Sequence, residues 1–156
     1  MAAEVGAKAP DFTLMDQDRQ PVTLSKEIGR DNIVLAFFPA AFSSVCTTEL
    51  CRMRDSIARL DRGGAKVFGI SVDTFFTLKA FATDQGLTFP LLSDFNKEVL
   101  HDYGVYNPDM IGLKWIAKRA VFLIDKTGTI RHREVLEDAR NEPDYNKLEA
   151  ALKAAI

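Results

Sequence analysis

The chain has 156 residues, a length that suits one domain with a real core. Hydrophobic residues make up 47% and charged residues 27%, and 22 acidic against 20 basic residues leave a formal charge of -2, which gives no basic surface for nucleic acid or anionic lipid. No apolar run approaches the ~20 residues of a membrane span, and two cysteines are too few for a disulfide scaffold.

The start, Met1-Ala2-Ala3-Glu4, lacks the basic-then-apolar pattern of a signal peptide, so a cytoplasmic, reducing location is expected. Residues 11–14 and 21–24 are short extended pieces around the polar turn 16–20, and they read as an N-terminal hairpin. Residues 25–29 fit one helical turn. Residues 33–38 form a continuous apolar run, the mark of a strand covered on both faces.

A helix is expected over 47–60. Cys46, Leu50, Met53, Ile57 and Leu60 recur at helical spacing and make one apolar stripe, and Gly63-Gly64 stops it. Residues 67–71 are the next buried strand. Asp73 or Thr74 caps a second helix with Phe75, Leu78 and Ala82 inward and Gly86 at its end. Residues 89–92 form a short strand around Pro90, which places it at an edge or gives it an irregular start.

Ser93-Asp94 caps a shorter helix near 97–103, and 104–118 reads as a long loop of the kind that carries function. Residues 120–124 and 129–134 flank a glycine turn and form a second hairpin. Pro143-Asp144 opens a last helix with Tyr145, Leu148, Leu152 and Ile156 inward. Alternating strands and helices imply a parallel core, and the late hairpin adds antiparallel strands. The pattern alone gives a layered α/β class, with no repeat or linker.

Cys46 stands where the helix begins. Unpaired backbone N–H groups and the helix dipole stabilise a thiolate there, so a reactive thiol is expected. The competing reading is an inert cysteine buried on the apolar stripe.

The stretch around Cys46 resembles the active site of the peroxiredoxin family, which carries Pro-x-x-x-Thr/Ser-x-x-Cys at a strand-to-helix junction. Pro39, Ser43 and Cys46 hold the matching positions. Phe37-Phe38-Pro39-Ala40-Ala41-Phe42 before the cysteine and Glu49-Leu50 after it look most like the alkyl hydroperoxide reductase E branch. The likeness runs from Val5-Gly6-Ala7-Lys8-Ala9-Pro10 to the last helix. Ser43 replaces the usual threonine, which keeps the hydroxyl and frees its rotamer.

The resemblance implies a single thioredoxin-fold domain over 1–156 with an N-terminal β-hairpin extension. It implies a thiol peroxidase that reduces hydrogen peroxide and organic hydroperoxides and forms a homodimer; two cysteines and two distant histidines do not make a zinc spacing, so no metal or cofactor is expected. Cys46 is then the nucleophile, and Ser43 orients the peroxide. Pro39 shields the thiol, and Arg119 stabilises the thiolate and binds both peroxide oxygens. Glu49 orients the arginine. On residues alone Arg119 is a surface arginine, and Lys118 beside it competes for the role.

Cys51 has the five-residue spacing of the resolving cysteine in the bacterioferritin-comigratory (Q) branch. In an intact helix the two Cα atoms lie about 8.6 Å apart, beyond the ~7 Å limit of a disulfide, so resolution requires the helix start to unwind. The alternative is a one-cysteine enzyme with an external resolving thiol. In either case a thioredoxin-like or glutaredoxin-like donor completes the cycle. A thiol–disulfide oxidoreductase on the same fold predicts Cys-x-x-Cys, which is absent. A holdase on a silent scaffold leaves the retained motif unexplained. His101 and His132 read as surface residues, and Trp115 with Phe42 as an apolar rim, a dimer contact or ordinary packing.

Overall fold

The computed structural model describes residues 3–62 and 65–155, with the side chains of 57–62 left out. β1 (Thr13–Asp16) and β2 (Pro21–Thr23) form the expected N-terminal hairpin. Asp16 closes its turn by accepting from the backbone N–H of Asp18 and Gln20 at 2.8 and 3.0 Å. A single turn, α1 (Leu24–Glu27), leads into β3 (Asn32–Phe37). Then come α2 (Ser44–Arg62), β4 (Ala65–Ser71), α3 (Phe75–Gln85) and β5 (Leu91–Ser93). The chain ends with α4 (Glu98–Asp102), β6 (Tyr106–Asn107), β7 (Ile116–Ala117), β8 (Arg119–Ile124), β9 (Ile130–Leu136) and α5 (Tyr145–Ala154).

Seven strands make one sheet in the order β2-β1-β5-β4-β3-β8-β9. β3, β4 and β5 run parallel, while β8 and β9 are antiparallel additions and the N-terminal hairpin joins antiparallel to β5. This is a mixed α/β, thioredoxin-like fold. Alternation along β3 splits the core in two, because successive side chains point to opposite faces. Ile33, Leu35 and Phe37 pack with α4 and Tyr103, whereas Val34, Ala36 and Phe38 pack with α2, α3 and α5. All six residues of β3 and all six of β8 are buried, which explains why neither run alternates in polarity.

The helices follow their caps. Thr74, not Asp73, caps α3 through its hydroxyl oxygen, and Gly86 ends it at φ 60, the left-handed conformation glycine tolerates. Phe81 joins Leu78 and Ala82 on the buried face, while Phe75 is only half-buried. Asp144 caps α5, and Leu148 and Leu152 are buried under it. The expected Gly63-Gly64 stop, the side chains of Ile57 and Leu60, and Ile156 lie outside the described residues.

Two expectations change. β5 is an interior strand between β1 and β4, because Pro90 stands just before it and its carbonyl accepts from Gly69 at 3.0 Å. The proline gives the irregular start and not an edge. The long loop contains a small antiparallel ribbon, β6 with β7.

Candidate active site

The site lies where the C-terminal end of β3 meets the start of β8. Phe37 pairs with Ala120, so the register brings Arg119 to the mouth of the β3–α2 turn. Pro39 ends the strand. Phe42 turns the chain at φ 69, a conformation that costs a non-glycine residue roughly 1–2 kcal/mol and that the surrounding packing must hold. Its ring rests on Phe81, 5.0 Å between centroids.

Ser43 immediately precedes α2. Its carbonyl accepts from the backbone and the hydroxyl of Thr47 at 2.9 and 2.8 Å, and its own hydroxyl donates to the Ala40 carbonyl at 3.0 Å. Cys46 is the third residue of α2, inside the first turn, where backbone N–H groups lack intrahelical acceptors. That first turn carries no acidic residue to oppose a negative sulfur. The thiol is fully buried.

Arg119 is also buried, at 1% exposure, which is rare for a guanidinium without partners. It has three. Nη2 donates to Cys46 Sγ at 3.2 Å and to the Ala139 carbonyl at 2.9 Å. Nε donates to the same carbonyl at 3.2 Å, and Nη1 donates to Glu49 Oε1 at 3.4 Å. Lys118 turns away to Glu137, 3.0 Å from each carboxylate oxygen, so it is the arginine that meets the sulfur.

Glu49 is fully buried, and its Oε2 has no hydrogen-bond partner among the described residues. Burial pushes its carboxyl from 4.5 up to about 8, against the opposing pull of Arg119. Glu142 and Glu134 push the same way. Burial thus favours the protonated carboxyl, while the guanidinium at 3.4 Å favours the charged one.

A cleft of about 720 Å³ is lined by Pro39, Ser43, Val45, Met110, Ile111 and Arg119 among others, and it reaches the buried Cys46 only through its neighbours Val45 and Arg119. The structure thus gathers Pro39, Ser43, Cys46, Glu49 and Arg119. Cys51 stands apart. It is half-buried on another face of α2, its thiol 3.5 Å from Gln85 Oε1, and α2 is continuous through both free cysteines. Trp115 packs on Tyr106 and His101, while Phe42 packs on Phe81. His101 is exposed, as expected, but His132 is half-buried, with its Nε2 unpartnered among the described residues. Among the described residues no group of three or more His, Cys, Asp and Glu side chains could hold a metal ion, and no helix is long and apolar enough to cross a membrane.

Sequence reasoning missed the Ala139 carbonyl, which fixes the guanidinium plane. A main-chain acceptor has no residue signature. Only the pairing of Arg119 with Leu136 across the β8–β9 hairpin puts it in place.

A buried thiol held by a buried arginine at the start of a helix, on a thioredoxin-like sheet, defines a thiol-based redox enzyme. Residues 5–133 match the AhpC/TSA family. The chain is 42% identical over 154 residues to alkyl hydroperoxide reductase E of Mycobacterium tuberculosis, covering 96% of this chain and 98% of that one. It is 39% identical over 126 residues to the chloroplastic peroxiredoxin Q of Sedum lineare, covering 81% and 66%. The crystal structure of peroxidoxin BcpB from Mycobacterium tuberculosis superposes with a TM-score of 0.86 at 31% identity, covering 97% of each chain. This chain belongs to the AhpC/TSA family and is a thiol-dependent peroxidase of the peroxiredoxin class.

Proposed function

We propose that Cys46 is the peroxidatic nucleophile and that it reduces hydrogen peroxide and organic hydroperoxides. The observation that carries this is the 3.2 Å hydrogen bond from Arg119 to the buried Cys46 sulfur. The thiolate attacks one peroxide oxygen. An S–O bond forms, the O–O bond breaks, and its electron pair leaves on the second oxygen, which takes a proton as water or alcohol. Cys46 is left as a sulfenic acid, oxidised by two electrons. Arg119 and the Ser43 hydroxyl, once rotated off Ala40, are the donors for the charge that develops on the oxygens. Pro39 limits access, and Glu49 orients Arg119.

In the second half-reaction Cys51 attacks the Cys46 sulfur, and water leaves as the disulfide forms. A dithiol donor of thioredoxin or glutaredoxin type then reduces it. The continuity of α2 favours a second reading, in which an external thiol resolves the sulfenic acid and Cys51 stays reduced. The enzyme works as a cytoplasmic homodimer. Single-turnover assays test the nucleophile. Cys46→Ser is expected to consume no peroxide above background, and Cys51→Ser to consume one equivalent. A Cys46→Ser protein that keeps the wild-type rate contradicts the proposal.

A further inference from the structure

The turn that carries Pro39 and Ser43 is clamped from outside by a residue the chemistry itself does not use. Asp73 follows β4. Its Oδ2 accepts from the backbone N–H of Ala41 at 2.8 Å and from the Ser71 hydroxyl at 2.7 Å. The Ser71 oxygen in turn accepts from the Asp73 N–H at 3.2 Å, and the Ser93 hydroxyl donates to the Asp73 carbonyl at 2.6 Å. Ser71 is fully buried, and its carbonyl accepts from Asp94 N–H at 2.7 Å. Two strands of the sheet therefore hold Asp73, and Asp73 holds Ala41.

Capping does not explain the carboxylate, because Thr74 caps α3. The held residue is informative too. Ala41 immediately precedes Phe42, whose left-handed backbone persists only where the surroundings impose it. Within the turn the remaining bonds are short-range, from the Ser43 N–H and hydroxyl to the Ala40 carbonyl. The Ser43 carbonyl ties the far end of the turn to Thr47 of α2, and among these bonds the one from Ala41 to Asp73 is what joins the turn to β4 and β5.

We propose that Asp73 is a positioning residue for the peroxidase reaction, fixing through Ala41 the turn that presents Pro39 and Ser43 to the cleft that Arg119 lines. This rests on Cys46 being the peroxidatic thiol. A displacement of about 1 Å in a reacting constellation can lower a rate by ~100-fold, so the clamp acts on the rate constant and not only on stability.

The test measures two second-order rate constants per titrated Cys46 thiol, one for hydrogen peroxide and one for iodoacetamide, which needs the thiol but no bound peroxide. For Asp73→Ala the peroxide constant is expected to fall ~10–100-fold while alkylation changes by less than about threefold. Asp73→Asn keeps an oxygen acceptor for Ala41 and is expected to restore most of the loss. Ser71→Ala is expected to lower the peroxide constant alone, and to add nothing in the Asp73→Ala background. An Asp73→Ala protein with the wild-type peroxide constant overturns the inference. So do parallel losses in both reactions without rescue by asparagine, which mark a purely structural role. If Asp73→Ala does not fold, Ser71→Ala decides, and an unchanged peroxide constant there is equally contradictory. A wild-type protein inert to peroxide is seen before any variant and sinks the underlying reading instead.

Discussion

Arg119 bonds Cys46, Glu49 and Ala139 at once, and the planar fork of a guanidinium is what permits it. A lysine ammonium can keep the charge but not the three directions. Arg119→Lys is therefore expected to lower the peroxide rate constant by ~100-fold or more, the usual effect of losing an aligned donor, with circular dichroism unchanged. A constant within about threefold of wild type contradicts the geometric argument. Glu49 makes a separate prediction. Its folded-state carboxyl titrates near 8, above the ordinary 4.5. Between those values the folded protein holds a proton that the unfolded chain has lost. The stability tied to Glu49 is thus fully present below pH 4.5 and is lost as pH rises toward 8, at no more than about 1.4 kcal/mol per pH unit. Thermal midpoints of wild type and Glu49→Gln across that range are expected to diverge, with wild type falling more steeply. Parallel curves contradict the assignment. Pro39, Ser43 and Cys46 were readable because eight consecutive residues hold them. Arg119 lies 73 residues from Cys46, and only the family resemblance singled it out from other arginines.

At the scale of elements, α2 decides how the cycle closes. Residues 44–62 form one helix through both cysteines, so a Cys46–Cys51 disulfide demands that its first turns unwind. If Cys51 resolves, oxidation of wild type is expected to speed hydrogen exchange at the amides of residues 47–52, and Cys51→Ser is expected to show no such change. Full protection in an oxidised wild type that has lost both thiols contradicts intramolecular resolution. The sheet beneath the helices is tightly fitted at Gly69 in β4, where an added Cβ would meet Leu91 Cδ2 at 2.7 Å and Phe38 Cε1 at 3.3 Å. Gly69→Ala is expected to destabilise by about 1–3 kcal/mol in urea titration, the overpacking range, and a neutral result contradicts the packing described. The helical stripe of Cys46, Leu50 and Met53 was legible because spacing of three and four is local information, and all three are buried. The interior place of β5 was not, since Pro90 signals only that its own N–H is missing. Strands of two residues such as β6 and β7 carry no period to detect.

Across the whole molecule, the site is assembled from four separated pieces: the β3–α2 turn, the start of β8, the segment after β9 and the β6–β7 ribbon. Their meeting depends on the strand order β4-β3-β8-β9, a set of nonlocal pairings that element order in the chain does not encode. Alternating strands and helices implied a parallel core and no more. A site of this kind is expected to lose peroxide reactivity in the same urea transition that abolishes near-ultraviolet dichroism, and earlier loss would mark a separately unfolding site. The central claim is that Cys46 carries the oxidation. It is tested most directly by intact mass, with free thiols blocked, after one equivalent of peroxide on reduced wild type, Cys46→Ser and Cys51→Ser. The account predicts a gained oxygen on Cys51→Ser and no rapid change in Cys46→Ser. In wild type it predicts loss of two hydrogens if Cys51 resolves, or a gained oxygen if an external thiol does. Rapid oxidation of Cys46→Ser, or an inert Cys51→Ser, would contradict it.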